Sequence, residues 1–511
     1  MSTSRHQKIA RRKRRIERRL RPRNWTAQAH PMYRASNIQY EHSDRVRGLV
    51  SGGIGAMHQL AQHVGLVEAI DQHVEVLQVH LPYHESDHVL GIAYNVLSGG
   101  TCLQDIEQRR QDEVYLDALG AQRIPDPTTA GDFCRRFDEP TIEALQTAIN
   151  ETRVRVWRTQ PAAFFEEAFL DADGTLAETS GQCKEGMDIT YDGVWGYHPL
   201  VVSLANTGEP LYLVNRSGNR PSSEGAAARF DQARELCQAA GFRRITLRGD
   251  TDFSQTEHLD RWDTVGARFI FGYDARANLI READALPQQA WTPLVRRPAY
   301  EVQTEPRQRP VNVKAAIIVE RAFKNLQLEA EAVAEFAYQP VACTQAYRMV
   351  VVRKNISVEQ GDQRLFDEIR YFFYLTNDQA TAAADVVVLA NDRCNQENLI
   401  DQLKHGVGAT AMPVDTLLSN WAYMVMAALA WTLKAWFALR LPETGRWATR
   451  YAAEKAAVLR MEFKAFLHAF ILIPVQVVRT SRRLVFRLLA WNPWQAVFLR
   501  GFDHWREPLR C

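Results

Sequence analysis

The chain has 511 residues, of which 46% are hydrophobic and 24% are charged, and its formal net charge is +2. This is ordinary globular composition, and the length predicts three or four packed units. The seven cysteines are scattered and never form a C-x-x-C pair, which argues against a disulfide framework, against a zinc site and in favour of a reducing compartment.

Residues 1–24 are strongly basic. They hold eleven Lys or Arg and a single acid, Glu17, so their local charge is +10 and the remaining 487 residues carry −8. A charge concentrated in this way binds polyanions, and such binding depends strongly on salt. The alternative is a solvated, disordered tail. We interpret residues 1–45 as a basic arm and linker, and its densest run of cations supplies the expected DNA contacts: Arg11, Arg12, Lys13, Arg14 and Arg15.

Residues 46–160 alternate apolar stretches of helical period, such as MHQLAQHVGLVEAIDQHV, with turn signals such as IPDPTTAGD. The pattern predicts a small helical domain. We interpret it as a DNA-binding domain, although the pattern selects no residue that reads bases.

Residues 161–274 change to a strand-like texture. Three strands, EEAFLDADGT, YHPLVVSLAN and EPLYLVNRSG, precede the helical segment SSEGAAARFDQARELCQAAG; the strand RRITLRGD, a short helix and the strand ARFIFGYD follow. This is the element order of a ribonuclease-H-like core, and order alone is weak evidence. We therefore expect an α/β fold whose catalytic core begins here.

The rest of the chain divides into three further segments. Residues 275–376 contain alternating stretches rich in Val, Ile, Tyr and Phe, which predict a β-rich insertion. Residues 377–440 return to helical period and complete the core, and residues 441–511 are expected to be a C-terminal helical region. There the run FLHAFILIPVQVV is too short to cross a bilayer and predicts a buried helix; with no visible signal peptide, we expect no membrane association.

Acidic residues stand where strands end. Asp171 and Asp173 close one apolar run, and Asp250 closes another. Acids at two strand ends and a third on a later helix can converge on a pair of divalent cations, because hard cations prefer oxygen ligands. Two metals about 4 Å apart can activate an attacking oxygen and stabilise a leaving one, which is the chemistry of cutting and joining phosphodiester bonds. The sequence thus favours a nucleic acid substrate.

The segment NDRCNQENLIDQLKHG supplies the third acid. A helix that advances about 100° per residue places Arg393, Glu397 and Lys404 on one face, which suits a metal ligand with basic neighbours that hold phosphate. The plain alternative is an i,i+4 ion pair between Arg393 and Glu397.

Another chemistry also fits part of the pattern. DADGTL matches the nucleophile loop of haloacid-dehalogenase-like phosphatases, but their chemistry needs a Lys shortly before the second acidic motif, and none occurs between Lys184 and Asp250. Two further alternatives are a ribonuclease-H-like nuclease that cuts without joining strands and a DNA-binding protein that has lost catalysis.

Four segments in order resemble a known family. DADGT, then GYHPLVVSLANTGEPL with RSGNRPSSEGA, then LRGDTDF, then the R-x3-E-x6-K spacing from Arg393 look like the DDE transposases of bacterial insertion sequences, with the IS-thirteen-eighty-like group as the closest. The resemblance covers roughly residues 45 to 500. It implies a ribonuclease-H-like core with a β-rich insertion between the second Asp and the Glu. By position, it implies that Asp173, Asp250 and Glu397 are the catalytic metal ligands, with Asp171 as a substitute for the first.

The resemblance also implies cofactors and partners. They are two Mg²⁺ ions with Mn²⁺ as a replacement, double-stranded DNA as terminal inverted repeats and target, a homodimer in the synaptic complex, and a cytoplasmic, nucleoid-associated location in a bacterium. Relatives that hold a flipped base use an aromatic residue of the insertion, for which Trp291 is the candidate. The family often has a Tyr three residues before the Arg; here that position is Ala390, so one phosphate or stacking contact is in doubt.

Overall fold

The computed structural model of the protein describes residues 3–20, 46–295 without 81 and 182, and 317–505 without 318, 319, 323, 361, 362, 481 and 482. Within the basic arm, Thr3–Leu20 is an α-helix whose side chains are mostly exposed. The five cations of the arm that are predicted to contact DNA lie in this helix, and the ammonium of Lys13 is 5.9 Å from the ring centroid of Trp491. The linker predicted up to residue 45 is outside the described residues.

The region predicted to be helical is helical. Strand β1 (Gly48–Leu49) comes first. The α-helices that follow are Ile54–His63, Leu66–His73, Glu85–Leu97, Ile106–Arg110, Glu113–Leu119, Pro127–Cys134 and Glu139–Trp157. Local sequence sets the start of Glu139–Trp157, the longest helix of this region, because the Asp138 carboxylate accepts a hydrogen bond from the Thr141 N–H at 3.0 Å.

A large mixed sheet forms the centre of the molecule. Its first five strands in the chain are β2 (Glu167–Gly174), β6 (Leu200–Leu204), β7 (Glu209–Val214), β8 (Arg244–Gly249) and β9 (Arg268–Tyr273). Strands β2, β6 and β7 form an antiparallel meander, while β8 and β9 run parallel to β2 on its other side. The chain segment that connects β2 to β6 forms a small separate sheet of β3 (Ala177–Glu178), β4 (Asp188–Ile189) and β5 (Trp195–Tyr197).

The segments predicted as a β-rich insertion belong to the same sheet. They contain β10 (Thr292–Pro293), β11 (Lys324–Tyr338), β12 (Tyr347–Gln360) and β13 (Gln363–Thr376). Because β13 pairs antiparallel with β9, the strand order across the sheet is β10-β11-β12-β13-β9-β8-β2-β6-β7. The insertion therefore adds strands β10 to β13 to the core sheet at its β9 edge.

Helices cover the sheet and complete the chain. Those after residue 220 are Ala226–Ala240, Leu259–Thr264, Ala277–Ala285, Ala383–Asn391, Cys394–Asp401, Leu417–Leu439, Ala448–Leu459, Phe463–Phe466 and Gln495–His504. The helix Leu417–Leu439, called the central helix below, is long and apolar enough to cross a membrane by composition, but its apolar window is entirely buried inside the protein. It is a core helix in this fold.

The prediction of a purely helical C-terminal region was wrong. The run FLHAFILIPVQVV is helical only as far as Ile471, and then becomes β14 (Val475–Arg479), which pairs with β15 (Leu484–Leu488) and with β1. Pro474 disfavours helical backbone at the preceding residue, and the β-branched residues after it favour a strand. The strand before the helical region and two strands of the C-terminal region therefore meet in one three-stranded sheet.

Polar groups in the core link the helical region to the sheet. The buried carboxylate of Glu209 on β7 accepts hydrogen bonds from Arg153 at 3.1 Å and from the indole N–H groups of Trp157 and Trp436, each at 2.9 Å. These donors come from the helix Glu139–Trp157 and from the central helix. A buried charge is tolerated when it is paired and hydrogen-bonded in this way.

Candidate active site

Two of the predicted acids lie together at one edge of the sheet. Asp173 is near the end of β2, and Asp250 directly follows β8. Because β2 and β8 are parallel neighbours, their carboxyl ends meet at the same edge. The Asp250 carboxylate also accepts a hydrogen bond from the Asp252 N–H at 3.0 Å, which fixes its position at the start of a short 3₁₀ turn.

Arg393 lies between these two acids. Its Nη1 is 3.2 Å from Oδ2 of Asp173 and 4.0 Å from Oδ2 of Asp250. The pKa of Asp173 is raised to about 6, mainly by burial and also by the charges of Asp250 and Glu397, while Arg393 opposes the rise. Burial also raises the pKa of Asp250, against the opposing effect of Arg393. The site therefore concentrates negative charge around one guanidinium.

Asp171, the predicted substitute for Asp173, forms a buried ion pair with Arg248. It is fully buried, and its two carboxylate oxygens accept hydrogen bonds from Arg248 at 2.7 and 2.8 Å. Asp173 instead lines an open cleft of about 940 Å³ together with Asp250 and Lys404.

The predicted continuous helix through Arg393, Glu397 and Lys404 was wrong in its geometry. One helix ends at Asn391, Arg393 is the residue before the next helix, and a π-helical turn, Gln402–Gly406, contains Lys404. A π turn has i→i+5 hydrogen bonds, so the 100° advance does not hold through it. Arg393 makes its ion pairs with Asp173 and Asp250, so in the part of the chain the structure describes it does not form the simple pair with Glu397.

Glu397 lies in the first turn of the helix Cys394–Asp401 and is exposed. Its neighbour Gln396 is buried and anchors this helix to β6 by donating to the Val201 carbonyl at 3.0 Å and accepting from the Ser203 hydroxyl. Glu397 is near enough to raise the pKa of Asp173. Within the described residues, however, the three acids do not come within 4.8 Å of one another; the group that does is His80, His84 and Glu85, on the helical region.

The donor set fits a divalent cation. Asp173 and Asp250 offer carboxylate oxygens on either side of a position that already attracts a cationic group, Nη1 of Arg393. Oxygen ligands of this kind suit Mg²⁺ or Mn²⁺. Burial is the main cause of the raised pKa of Asp173, and repulsion from Asp250 and Glu397 adds to it; a bound cation would relieve this repulsion as a proton does.

Further residues of the cleft had been assigned no role from the sequence. The segments GYHPL and RSGNRPSSEGA contribute His198, Asn219 and Arg220 to its walls, and the hairpin just before GYHPL contributes Tyr191. His198 is buried, its Nδ1 lies 2.7 Å from the Arg220 carbonyl, and burial lowers its pKa. A Cβ at Gly174 would lie 2.7 Å from His198 Nε2, so the glycine of DADGT allows this close approach. Gly174 in DADGT and His198 in GYHPL were the signals in the sequence that could have indicated this wall of the cleft.

Trp291 is packed and does not face the cleft. It is 7% exposed, and the guanidinium of Arg353 lies 4.2 Å from its ring centroid. Its indole N–H has no hydrogen-bond partner in the described part of the chain. A base could stack on this face of the ring only after Arg353 moved.

Comparison with known proteins gives a family. Residues 47–507 match the model of the family described as Transposase DDE domain group 1. A solved structure of piggyBac transposase, in a synaptic complex with hairpin DNA, is similar with a TM-score of 0.36 and 10% sequence identity, over 83% of this chain and 79% of that chain. No curated protein matches the sequence. The family assignment rests on the sequence match.

Proposed function

The chain belongs to the DDE transposases, and we propose that Asp173, Asp250 and Glu397 are the carboxylates of its active site. It is thus a DNA-binding enzyme that cleaves phosphodiester bonds and transfers DNA strands. The observation that supports these residues is the placement of Arg393 between Asp173 and Asp250 in a cleft that Lys404 also lines. Asp171 is the weaker choice for the first acid, because Arg248 occupies both of its oxygens.

Members of this family generally use divalent metal ions, and here we infer two Mg²⁺ ions held by Asp173, Asp250 and Glu397, with Mn²⁺ able to replace them. Bound metal would activate the attacking oxygen and stabilise the leaving one. Gln396 anchors the helix of Glu397 beside β2 and β6, so Glu397 is close to the two aspartates. It would approach them further when the cations bind. Asp173 and Asp250, fixed on neighbouring strand ends, would hold the cations that orient the phosphate for in-line attack.

Basic groups hold the DNA in this proposal. Lys404 lines the cleft, and its position suits a contact to a phosphate next to the one that reacts. Arg393 would transfer from the acids to the DNA backbone once metal neutralises them. The cations of the arm, from Arg11 to Arg15, would add sequence-independent affinity along the duplex.

The finer assignments are also proposals. The strand order β7-β6-β2-β8-β9 and its directions support a ribonuclease-H-like core, extended by residues 275–376 and preceded by a helical DNA-binding domain over 46–160. We also propose membership of the IS-thirteen-eighty-like group, recognition of terminal inverted repeats, a homodimer in the synapse, and a cytoplasmic, nucleoid-associated location.

One experiment tests the central proposal. Short inverted repeats in the DNA that flanks the gene define the substrate, on which cleavage and joining to a target plasmid are measured with Mg²⁺. The wild type should cut and join, and the Ala variants of Asp173, Asp250 and Glu397 should bind the ends but cut nothing. Cleavage without joining would support the alternative nuclease; full cleavage by the Asp173→Ala variant would refute the proposed site.

A further inference from the structure

One aromatic side chain at the active-site cleft is mostly exposed to solvent. Tyr191 is 79% exposed, and it lines the same cleft as Asp173, Asp250 and Lys404. Its ring centroid is 6.2 Å from that of His198, which is buried in the cleft wall. Large aromatic side chains usually bury most of their surface, so this ring presents a face to whatever enters the cleft.

The hairpin that carries Tyr191 is held in place. Its tip is a tight turn in which the Thr190 N–H donates to the Val194 carbonyl at 2.8 Å and the Gly193 N–H to the Thr190 carbonyl at 2.9 Å. Gly193 has φ +78°, a left-handed conformation that favours glycine. The strands β4 and β5 on either side of this turn fix the direction in which Tyr191 projects.

The cleft wall itself clamps the hairpin. A Cβ at Gly218 would lie 2.5 Å from the Asp188 carbonyl and 2.6 Å from the Gly196 carbonyl, so the wall packs directly on the hairpin backbone. The Asn219 amide donates to the Asp188 carboxylate at 2.6 Å. A ring on a supported hairpin loses little freedom when it binds a ligand.

A second exposed ring lies on the same hairpin. Trp195 is 51% exposed and pairs directly across the strands with Ile189, which is 48% exposed. Directly paired side chains share one face of a sheet, so Trp195 and Ile189 form an exposed apolar surface on the hairpin, outside the set of residues that line the cleft. The other walls of the cleft present Lys404 and Arg220, which suit a phosphate backbone.

We propose that Tyr191 is a stacking platform for an unpaired nucleobase of the DNA strand that is cut in this cleft. The proposal rests on the proposed function, which places the scissile phosphate at Asp173 and Asp250. In a duplex the faces of each base are covered by its neighbours, so an aromatic ring can stack only on a base that has left the helix. Tyr191 is therefore a positioning residue: by holding the base it orders the phosphate beside it.

The charges and the aromatic ring of the cleft indicate which ligand binds beside the acids. Stacking on an aromatic ring tolerates every base, because each has a π face, and it typically contributes about 1 to 3 kcal/mol per base. Cations for the backbone and rings for the bases are the two parts of a groove that binds single-stranded DNA. Both occur here on adjoining walls, whereas Trp291 has its face covered by Arg353.

The binding of two oligonucleotides distinguishes contacts to the bases from contacts to the phosphates. The probes are fluorescein-labelled dT12 and an abasic strand of equal length, measured by anisotropy with the full-length protein in EDTA and in about 0.3 M salt, which weakens phosphate contacts of the basic arm. Tyr191→Ala should weaken dT12 binding by about 5- to 150-fold and leave abasic binding unchanged. Tyr191→Phe should bind as the wild type does.

The matched control is Trp447→Ala, since Trp447 is 54% exposed but does not line the cleft; it should leave both affinities unchanged. Equal dT12 binding by the wild type and the Tyr191→Ala variant would overturn the proposal, as would an equal loss for both probes. Failure of the proposed function is a separate result: the wild type would then cut no duplex end with Mg²⁺, while the oligonucleotide comparison remains readable without any cleavage.

Discussion

The guanidinium of Arg248 donates to both carboxylate oxygens of Asp171, at 2.7 and 2.8 Å, where β2 and β8 run side by side. The same guanidinium donates to the Leu389 carbonyl at 2.8 Å, in the helix that leads to Arg393. The pair of Asp171 and Arg248 therefore links β2, which carries Asp173, and β8, which precedes Asp250, to the helix before Arg393. Two residues later on β2, Asp173 is left to face the cleft.

The two aspartates should respond to the same substitution in opposite ways. Asp171→Asn leaves the buried Arg248 without its counter-charge and should lower the free energy of unfolding by about 3 to 5 kcal/mol. Asp173→Asn removes one of several repelling carboxylates, so stability should be kept while cleavage is lost. Urea unfolding and an end-cleavage assay measure both effects. Normal cleavage with Asn at position 173 would exclude this residue as a ligand.

Arg393 should compete with metal. Because it lies between Asp173 and Asp250, its charge opposes a cation at that position. Arg393→Gln should tighten Mn²⁺ binding to the DNA-free protein by about tenfold, which equals about 1.4 kcal/mol. It should also slow cleavage. Titration calorimetry measures the affinity, with Arg450→Gln, an exposed arginine paired with Glu454, as the control. A weaker Mn²⁺ affinity in Arg393→Gln would show that the guanidinium supports the site.

Lys404 should matter for chemistry and little for stability. Burial in the cleft wall lowers its pKa, so Lys404→Met relieves a desolvation cost and should leave the melting temperature unchanged or raised. Cleavage and joining should slow by about 100-fold or more, the effect of losing one charge-stabilising group. Single-turnover assays measure the rate, and Lys464→Met, at an exposed lysine outside the cleft, should behave as the wild type. A near-normal rate in the double variant Arg393→Ala, Lys404→Ala would reduce this segment to a carrier of Glu397.

The helix Thr3–Leu20 should supply salt-dependent affinity. Replacing Arg11, Arg12, Lys13, Arg14 and Arg15 by Gln removes five charges and should reduce the slope of log K against log salt by at most about 4.5. Specific and random duplexes should be weakened alike, because phosphate contacts carry no sequence information. Filter binding from low to moderate salt measures the slope. An unchanged slope would mean that these cations do not meet phosphate.

Lys434 should make stability depend on pH. Burial lowers its pKa to about 7, with Glu209 in partial opposition, while the unfolded chain keeps the ordinary lysine pKa near 10.4. Between these values the unfolded state binds the extra proton, so Lys434 makes the protein more stable as pH rises and costs most below pH 7. The free energy of unfolding of Lys434→Met minus that of the wild type should therefore fall from pH 7 to 10. Lys464→Met should show no such trend.

Local signals predicted much of this fold. The strands β2, β6, β7, β8 and β9 and the helices of residues 46–160 follow from periodicity and turn residues, and so do the strand ends that carry Asp173 and Asp250. The break at Arg393 and the π turn at Lys404 have no such signal. Tyr191 could not be found because its role depends on where a hairpin packs. The pairing of β13 with β9 is likewise a contact between distant segments.

The central helix also bears on how the chain is made. It packs against the helices Glu85–Leu97 and Glu139–Trp157, against β7 and against Ala448–Leu459. Residues synthesised early must therefore wait for Leu417–Leu439 to emerge from the ribosome before their apolar faces are covered. A truncated chain that stops after the helical region would leave those faces open to aggregation, so its DNA affinity is best studied by substitution in the whole protein. Until this 23-residue apolar segment has packed, it exposes hydrophobic surface itself, which is the kind of surface that chaperones bind on partly folded chains.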